Sequence, residues 1–240
     1  MSTLYIIATP IGNLEDVSLR SLRILREVHA LACEDTRHTR RLLDRHEIPK
    51  PPMVFSFHDH NENYAAEGLI ALLRDGKPVG IVSNAGYPCI SDPGYPAVVQ
   101  AIEEGFKVEV IPGASAVPVA LIASGLPTSS YIFKGFPPKK IGKRASYIEM
   151  DAHLPHTTIY YESPHRIGKL LAAALEVLGD RRAAVCLELT KQFERVERGW
   201  LSELVIQFDP KKKVKGEAVV VIAGNHPKFI RGNIPSEEES

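Results

Sequence analysis

A chain of 240 residues, 44% of them apolar, is long enough to bury one large core or two smaller ones. Lys and Arg together number 29, as do Asp and Glu, which excludes a polyelectrolyte that binds nucleic acid through net charge alone. Cys33, Cys89 and Cys186 lie far apart without a CxxC pattern, which argues against a disulfide framework and a zinc site. With no charged leader and no apolar run of the roughly 20 residues that a spanning helix needs, we expect a soluble cytoplasmic protein without a membrane partner.

The first half of the chain alternates predicted strands with predicted helices. Apolar runs predict strands at residues 4–8, 29–33, 79–83 and 107–111, and amphipathic spacing predicts helices at 18–28, 36–45 and 64–75. Such alternation indicates right-handed crossovers. We therefore predict an N-terminal α/β domain over residues 1–113 with a mainly parallel sheet.

The second half has a different texture. A small-residue helix is predicted at 114–124, strands at 131–133, 157–161, 183–189, 203–208 and 218–223, and one long helix between 161 and 183 that stops at Gly179. Because the last predicted strands follow each other without helices, we expect antiparallel pairing there. This predicts a second α/β domain over 114–226 with a mixed sheet, followed by a flexible polar tail at 227–240.

Turns rich in glycine and proline follow three of the predicted strands, at residues 9–14, 83–88 and 112–116. Loops at the carboxyl edge of an open α/β sheet commonly hold ligands, because glycine there allows close approach to the backbone. The alternative interpretation of any one of these turns is an ordinary loop that connects two elements and binds no ligand. The chain contains no GxGxxG and no GxxxxGK[ST], so neither dinucleotide nor P-loop chemistry is expected.

Charged motifs also follow predicted strands. In Glu34-Asp35-Thr36-Arg37, Asp35 or Thr36 is either a helix cap or part of a site in which carboxylates accept from a ribose and arginines hold phosphate. Residues 162–166 read ESPHR, where Ser163 and Pro164 suit a helix start. Residues 188–191 read ELTK, which is either a solvated strand end or a second charged group at the site.

Two further clusters have competing interpretations. His58 and His60 could bind metal, but without a further ligand pattern no metal is expected and a loop lining the cleft is favoured. Lysine clusters at 139–144 and 211–215 are either solvated loops or local binding sites for a phosphate backbone.

Six motifs, in order, resemble the RsmI family of ribosomal RNA small-subunit methyltransferases: TPIGNL at 9–14, EDTR at 34–37, HDHN at 58–61, DPG at 92–94, ESPHR at 162–166 and ELTK at 188–191. The likeness runs from Leu4 to about Gly224. It implies a tetrapyrrole methylase-like architecture, with two α/β domains, the cofactor S-adenosylmethionine in the cleft between them, and a homodimer. It also implies methylation of the ribose 2′-hydroxyl of a decoding-region cytidine in 16S ribosomal RNA.

The resemblance also implies which residues contact the cofactor: Pro10, Ala85, Gly86, Tyr87, Ile90, Ser115, Ala116, Glu162 and Leu189. Two positions depart from the family's usual Ser-Asp-Ala-Gly-Thr-Pro, since Asn84 and Tyr87 stand where it has a carboxylate and a small hydroxyl. Members commonly carry a helical extension after the second domain, to which this sequence has no counterpart.

Methyl transfer to a hydroxyl needs alignment, a proton acceptor and stabilisation of the developing alkoxide. Asp35 and Glu188 are the candidate acceptors, and Lys191 is the candidate stabiliser. The residues expected to position RNA phosphates are Arg37, His165, Arg166, Lys139, Lys140, Lys143 and Arg144. Two alternatives stay open: a methylase of tetrapyrroles or another small acceptor, and a ribosome assembly factor without turnover.

Overall fold

The computed structural model describes residues 2–58, 60–209 and 214–232. The chain divides into two compact units, Met1–Ser115 and Ala116–Ser240. The predicted domain limits, 1–113 and 114–226, stay a prediction, because compactness alone does not establish independent folding. The tail predicted at 227–240 lies largely outside the described residues, apart from a 3-10 helix at Pro227–Phe229.

The first unit is built on a five-stranded parallel sheet with the order β3-β2-β4-β1-β5. Its strands are β1 (Thr3–Ile7), β2 (Ala30–Cys33), β3 (Met53–Ser56), β4 (Val79–Val82) and β5 (Lys107–Ile111). The helices between them are α1 (Leu19–Glu27), α2 (Thr36–Arg45), α3 (Glu62–Arg74) and α4 (Tyr95–Glu103). The predicted parallel sheet is confirmed, and β3 and α4 are additions to the prediction.

Both faces of this sheet are buried, which explains why its central strands are continuous apolar runs. In β1, Leu4 and Ile6 face one apolar layer, and Ile7 faces the other. The first layer contains Leu69 from α3, and the second contains Ile24 from α1. Side chains alternate across a strand, so one run of apolar residues can supply both layers.

The second unit contains a mixed sheet with the order β6-β7-β10-β8-β9. Only β6 (Tyr131–Phe133) and β7 (Thr157–Glu162) pair in parallel, while β8 (Arg182–Leu187), β9 (Arg195–Trp200) and β10 (Ala218–Ile222) pair antiparallel with their neighbours. Its helices are α5 (Ala116–Ser124), α6 (Ile141–Glu149), α7 (Ile167–Leu178) and α8 (Leu201–Gln207). The predicted mixed sheet is confirmed.

One predicted strand is wrong. Residues 203–208 were expected to be extended, but Leu201–Gln207 is helix α8. Leu201, Leu204 and Phe208 are buried at spacings of three and four, which is a helical period, and Glu203 accepts a hydrogen bond from the amide of Trp200 at the helix start. The last strands therefore do not follow each other without helices, and β9 and α6 were also missed.

None of the helices in the described part of the chain combines the length and apolar character needed to cross a membrane.

Candidate functional site

The turns after β1 and β4 are joined at the carboxyl edge of the parallel sheet. The amide of Thr9 donates to the Gly86 carbonyl at 2.8 Å, and the Gly86 amide donates back to the Thr9 carbonyl at 3.0 Å. Gly86 has a φ of +78°, a conformation that glycine adopts without steric cost. Pro10 and residues 85–87, predicted separately to contact a cofactor, therefore lie in two turns held together by these bonds.

The third turn is tied to the second by the side chain of Tyr87. Its hydroxyl accepts a hydrogen bond from the Gly113 amide at 3.1 Å. A Cβ atom on Gly113 would lie 3.0 Å from Cβ of Ala8, so this turn also passes close to the end of β1. The aromatic residue that departs from the family pattern thus connects two of the three predicted turns.

Asn84 has an unusual environment at the start of the second turn. Its amide donates to the Glu34 carboxylate at 2.9 Å, whereas its side-chain oxygen Oδ1 is buried without a hydrogen-bond partner. Buried polar atoms are nearly always hydrogen-bonded, so an acceptor of this kind is a position where a ligand donor fits.

Asp35 caps α2 and is paired with Arg37. Its Oδ1 accepts from the Arg37 amide at 2.8 Å, and the Arg37 guanidinium lies 2.9 Å from Oδ2. Hydrogen bonds from Arg37 lower the pKa of Asp35 to about 2, so this carboxylate stays charged and is a weak base. The Arg37 side chain is itself 89% exposed. The capping interpretation is therefore confirmed for Asp35, whereas the binding of ribose and phosphate by this motif stays a prediction.

Three of the remaining cofactor candidates lie just after the second turn or in the third turn, and they differ in exposure. Ile90 is exposed, and Ser115 and Ala116 are half-buried around the start of α5. The His58 and His60 rings contact each other edge to face, with centroids 5.9 Å apart. Among residues 2–58, 60–209 and 214–232, His, Cys, Asp and Glu side chains form no group of three or more that could hold a metal ion.

In the second unit, Glu162 is a buried carboxylate at the end of β7, with 2% of the residue exposed. Its Oε1 accepts from the Ser163 amide at 2.7 Å and from Nε of Arg166 at 2.6 Å. Its Oε2 is buried and has no partner. Arg166 therefore pairs with Oε1, and Oε2 is left as an acceptor without a donor. The neighbouring His165 is exposed.

Glu188 and Lys191 form a charged cluster just after β8. Glu188 accepts from Nζ of Lys191 at 2.9 Å and from the Glu217 amide at 2.7 Å, and Nζ also lies 3.0 Å from the Glu217 carboxylate. Positive φ values at Glu188 (51°) and Thr190 (64°) mark a tight backbone path there. Leu189, between them, is buried.

This packing decides the protonation of the cluster. Burial alone would raise the pKa of Glu188, but hydrogen bonds from Lys191 and from the Glu217 amide outweigh it, and the pKa is lowered. Burial opposes the charge of Lys191, but its two carboxylate partners raise its pKa above the ordinary value. At neutral pH the cluster is therefore an ammonium between two carboxylates.

The basic candidates do not share one environment. Lys139, Lys140 and Lys143 are exposed. Arg144 is only 2% exposed, and its guanidinium donates to the carbonyls of Pro138 at 3.1 Å and Lys139 at 3.0 Å. This is a correction to its expected surface role: a guanidinium buried against its own loop cannot reach phosphate. Of the second lysine cluster, residues 211–213 lie outside the described part, and Lys215 is exposed.

Sequence reasoning missed two contacts that organise these groups, one made by Glu34 and one by Glu217. Glu34 was part of a quoted motif, but its bond to the second turn depends on β2 and β4 being neighbours. Glu217 meets Glu188 because Ala218 pairs with Leu187 across the antiparallel β8–β10 ladder. A strand order was needed to find either residue, and the sequence offered none.

Comparison with known proteins identifies relatives over most of this chain. Residues 3–205 match the family model of tetrapyrrole (corrin/porphyrin) methylases. The chain is 46% identical over 226 residues to ribosomal RNA small subunit methyltransferase I of Halalkalibacterium halodurans, covering 94% of this chain and 77% of that protein. It is 41% identical over 224 residues to the protein of the same name from Thermotoga maritima, covering 93% and 99%.

Solved structures show the same fold at lower identity. The methyltransferase CobJ superposes with a TM-score of 0.71 at 15% identity, covering 94% of this chain and 95% of that one. Uroporphyrin-III C-methyl transferase from Thermus thermophilus, complexed with S-adenyl homocysteine, superposes with a TM-score of 0.64 at 19% identity, covering 93% and 97%. The chain therefore belongs to the tetrapyrrole methylase family and, within it, to the family of the proteins named ribosomal RNA small subunit methyltransferase I.

Proposed function

We propose that this protein transfers a methyl group from S-adenosylmethionine to the 16S RNA of the small ribosomal subunit, on the ribose 2′-hydroxyl of a decoding-region cytidine. The observation that carries the proposal is the likeness to the rRNA methyltransferases, which extends over both units. The cytidine and its 2′-hydroxyl come from the motif resemblance. Because ribosomal subunits of bacteria are cytoplasmic, we place the activity in the cytoplasm, with a homodimer as the proposed assembly.

The unpartnered acceptors fit the proposed cofactor. S-adenosylmethionine carries amino groups and ribose hydroxyls that donate hydrogen bonds, and Asn84 Oδ1 and Glu162 Oε2 are buried acceptors without partners. When bound, the cofactor supplies an electrophilic methyl group on a sulfonium. The residues proposed to hold it are Pro10, Ala85, Gly86, Tyr87, Ile90, Ser115, Ala116, Glu162 and Leu189.

The charged residues suggest how a ribose hydroxyl would be handled. Asp35 and Glu188 are the proposed acceptors. Because their pKa values are lowered, we propose that they first orient the hydroxyl through a hydrogen bond and take up its proton only as the methyl group is transferred, after which the proton passes to solvent. Lys191 keeps its charge and is proposed to stabilise the alkoxide that develops during transfer. Its two carboxylate partners hold the ammonium in place before the substrate arrives.

Exposed cations are proposed to position the RNA backbone. Contacts to phosphate give affinity and orientation without reading sequence. The candidates are Arg37, His165, Lys139, Lys140 and Lys143, with Arg166 limited by its ion pair to Glu162.

The proposal is tested by incubating the protein with radiolabelled S-adenosylmethionine and small subunits from cells that lack it. Label on a cytidine ribose is the expected result. Label on a porphyrinoid but not on subunits would instead support the small-molecule methylase. Cofactor-independent binding to subunits without transfer would support an assembly factor. This alternative is tested because Asn84 and Tyr87 depart from the family's usual residues in the proposed cofactor turn.

A further inference from the structure

The loop between β6 and α6 presents an exposed aromatic ring on a basic background. Phe136 is 55% exposed, and its ring contacts Tyr161 at an inclined angle, with centroids 5.6 Å apart. An inclined contact covers only part of a ring. The rest of the ring is open to contact by another planar group.

The loop is held in shape from inside. The buried guanidinium of Arg144 donates to the carbonyls of Pro138 and Lys139. Pro137 and Pro138, which directly follow Phe136, each fix a backbone φ angle in the loop. At the start of the loop, the Tyr147 hydroxyl donates to the Lys134 carbonyl at 2.6 Å. A loop fixed before binding loses less conformational entropy on binding, so Arg144 acts here as a positioning residue.

The charged side chains of residues 110–148 are all basic. Residues 110–148 contain no Asp or Glu, and Lys139, Lys140 and Lys143 are exposed beside Phe136 in sequence. An aromatic face next to several cations is typical of surfaces that bind single-stranded nucleic acid, where bases stack on rings and lysines follow the backbone. A membrane surface is less suited, because Ile148 of α6 is buried in the core, which leaves Ile141 as the exposed isoleucine of that helix.

We infer that Phe136 is a base-stacking residue and that Phe136, Lys139, Lys140 and Lys143 together form a binding surface for unpaired RNA. A base stacks on the Phe136 ring, and the lysines contact the flanking phosphates. The inference rests on the proposed function and adds to it the class of RNA that this surface recognises. Stacking needs an unpaired base, so the surface distinguishes single strands from duplexes.

The test compares binding of a short oligocytidylate with binding of an RNA duplex of equal length, at several salt concentrations. Phe136→Leu should weaken oligocytidylate binding about tenfold and leave duplex binding and the salt dependence unchanged, because it removes stacking but no charge. Phe136→Trp should preserve single-strand affinity. Lys140→Ala should weaken both RNAs and lower the slope of affinity against salt by about one phosphate contact.

The matched control is Tyr64→Leu, which removes an aromatic ring that is 87% exposed on α3 of the first unit. It should bind both RNAs as the wild type does. Calorimetry with S-adenosyl homocysteine should give wild-type affinity for Phe136→Leu, because the loop is not among the proposed cofactor contacts. Equal loss of single-strand and duplex binding, or unchanged oligocytidylate binding in Phe136→Leu, would overturn the inference.

Two further outcomes separate it from its alternatives. Co-sedimentation with phosphatidylserine vesicles that is lost in Phe136→Leu, without any effect on RNA, would assign the surface to membranes and overturn the inference. If the wild type methylates small subunits and Phe136→Leu does so with unchanged KM, the assignment of this surface to RNA binding is wrong, although the proposed function stands. If the wild type transfers no methyl group to subunits, the proposed function itself fails.

Discussion

Glu162 is a buried carboxyl group at the end of β7, and the sequence alone could not show which groups pair with it. Arg166, four residues on, uses only Oε1, which leaves Oε2 as a buried acceptor. A buried carboxylate with one vacant oxygen costs free energy unless a donor occupies it. Oε2 of Glu162 is therefore suited to accept a hydrogen bond from an N–H or O–H group of a ligand.

We expect Glu162→Gln to weaken binding of S-adenosyl homocysteine about tenfold, because a hydrogen bond to a neutral amide is weaker than one to a carboxylate. Isothermal titration calorimetry measures the change. Glu149→Gln, on the exposed end of α6, is the control and should bind as the wild type does. Unchanged affinity in Glu162→Gln would show that Oε2 does not face the cofactor.

Lys191 gives a prediction about turnover and pH. Lys191→Ala should lower kcat about a hundredfold and change cofactor affinity little, because stabilising an alkoxide matters mainly in the transition state. Since the pKa of Lys191 is raised, its charge is present below its ordinary value of 10.5 and is lost only above it. Wild-type kcat should therefore show no descending limb below about pH 10.

Single-turnover methyl transfer across this pH range, together with calorimetry, tests both statements. Lys169→Ala, an exposed lysine on α7, serves as the control. A descending limb near neutral pH that disappears in Lys191→Ala would contradict the assignment, as would equal losses in kcat and cofactor affinity.

At the scale of secondary-structure elements, the buried side chain of Arg144 is one of the groups that restrain the loop before α6. Arg144→Lys keeps the charge but replaces a planar group that reaches two carbonyls with a single ammonium. We expect trypsin to cleave after Lys139 and Lys140 about tenfold faster in this variant, because the loop opens more often. The substitution preserves the number of tryptic sites.

Mass spectrometry of timed digests measures that rate, with cleavage after Lys215 in the second unit as the internal reference. Equal rates in the two proteins would mean that the bonds from Arg144 do not restrain the loop.

Elements buried on both faces were the ones that the sequence predicted well. Residues 4–8 and strand β10 are short apolar runs bounded by turn residues, a pattern that favours a strand buried on both faces. Strand β9, at the edge of its sheet, carries three charged residues in six and resembles a loop. Helix α8 is only seven residues long and rich in Leu, Val and Ile, so its period competes with a strand interpretation until its partners are known.

At the scale of the whole molecule, two units with separate apolar cores share one chain. The first contains a complete parallel sheet with helices over both faces, and its 115 residues are a typical domain length. We expect a fragment of residues 1–115 to unfold cooperatively in urea, followed by circular dichroism. A fragment of residues 1–100, which lacks β5 and leaves β1 as an edge, should lose that cooperativity. Gradual unfolding of the longer fragment would contradict the proposed domain.

The paired amides of Thr9 and Gly86 give the first unit a property that neither turn has alone. Each loop shields the other's N–H from solvent, so local opening exposes both groups in one event. The two amides should therefore show the same protection factor in deuterium exchange, once each rate is divided by its intrinsic value. A ligand that immobilises either loop will slow amide exchange in the other loop too. Exchange at these two amides therefore shows whether a ligand is bound.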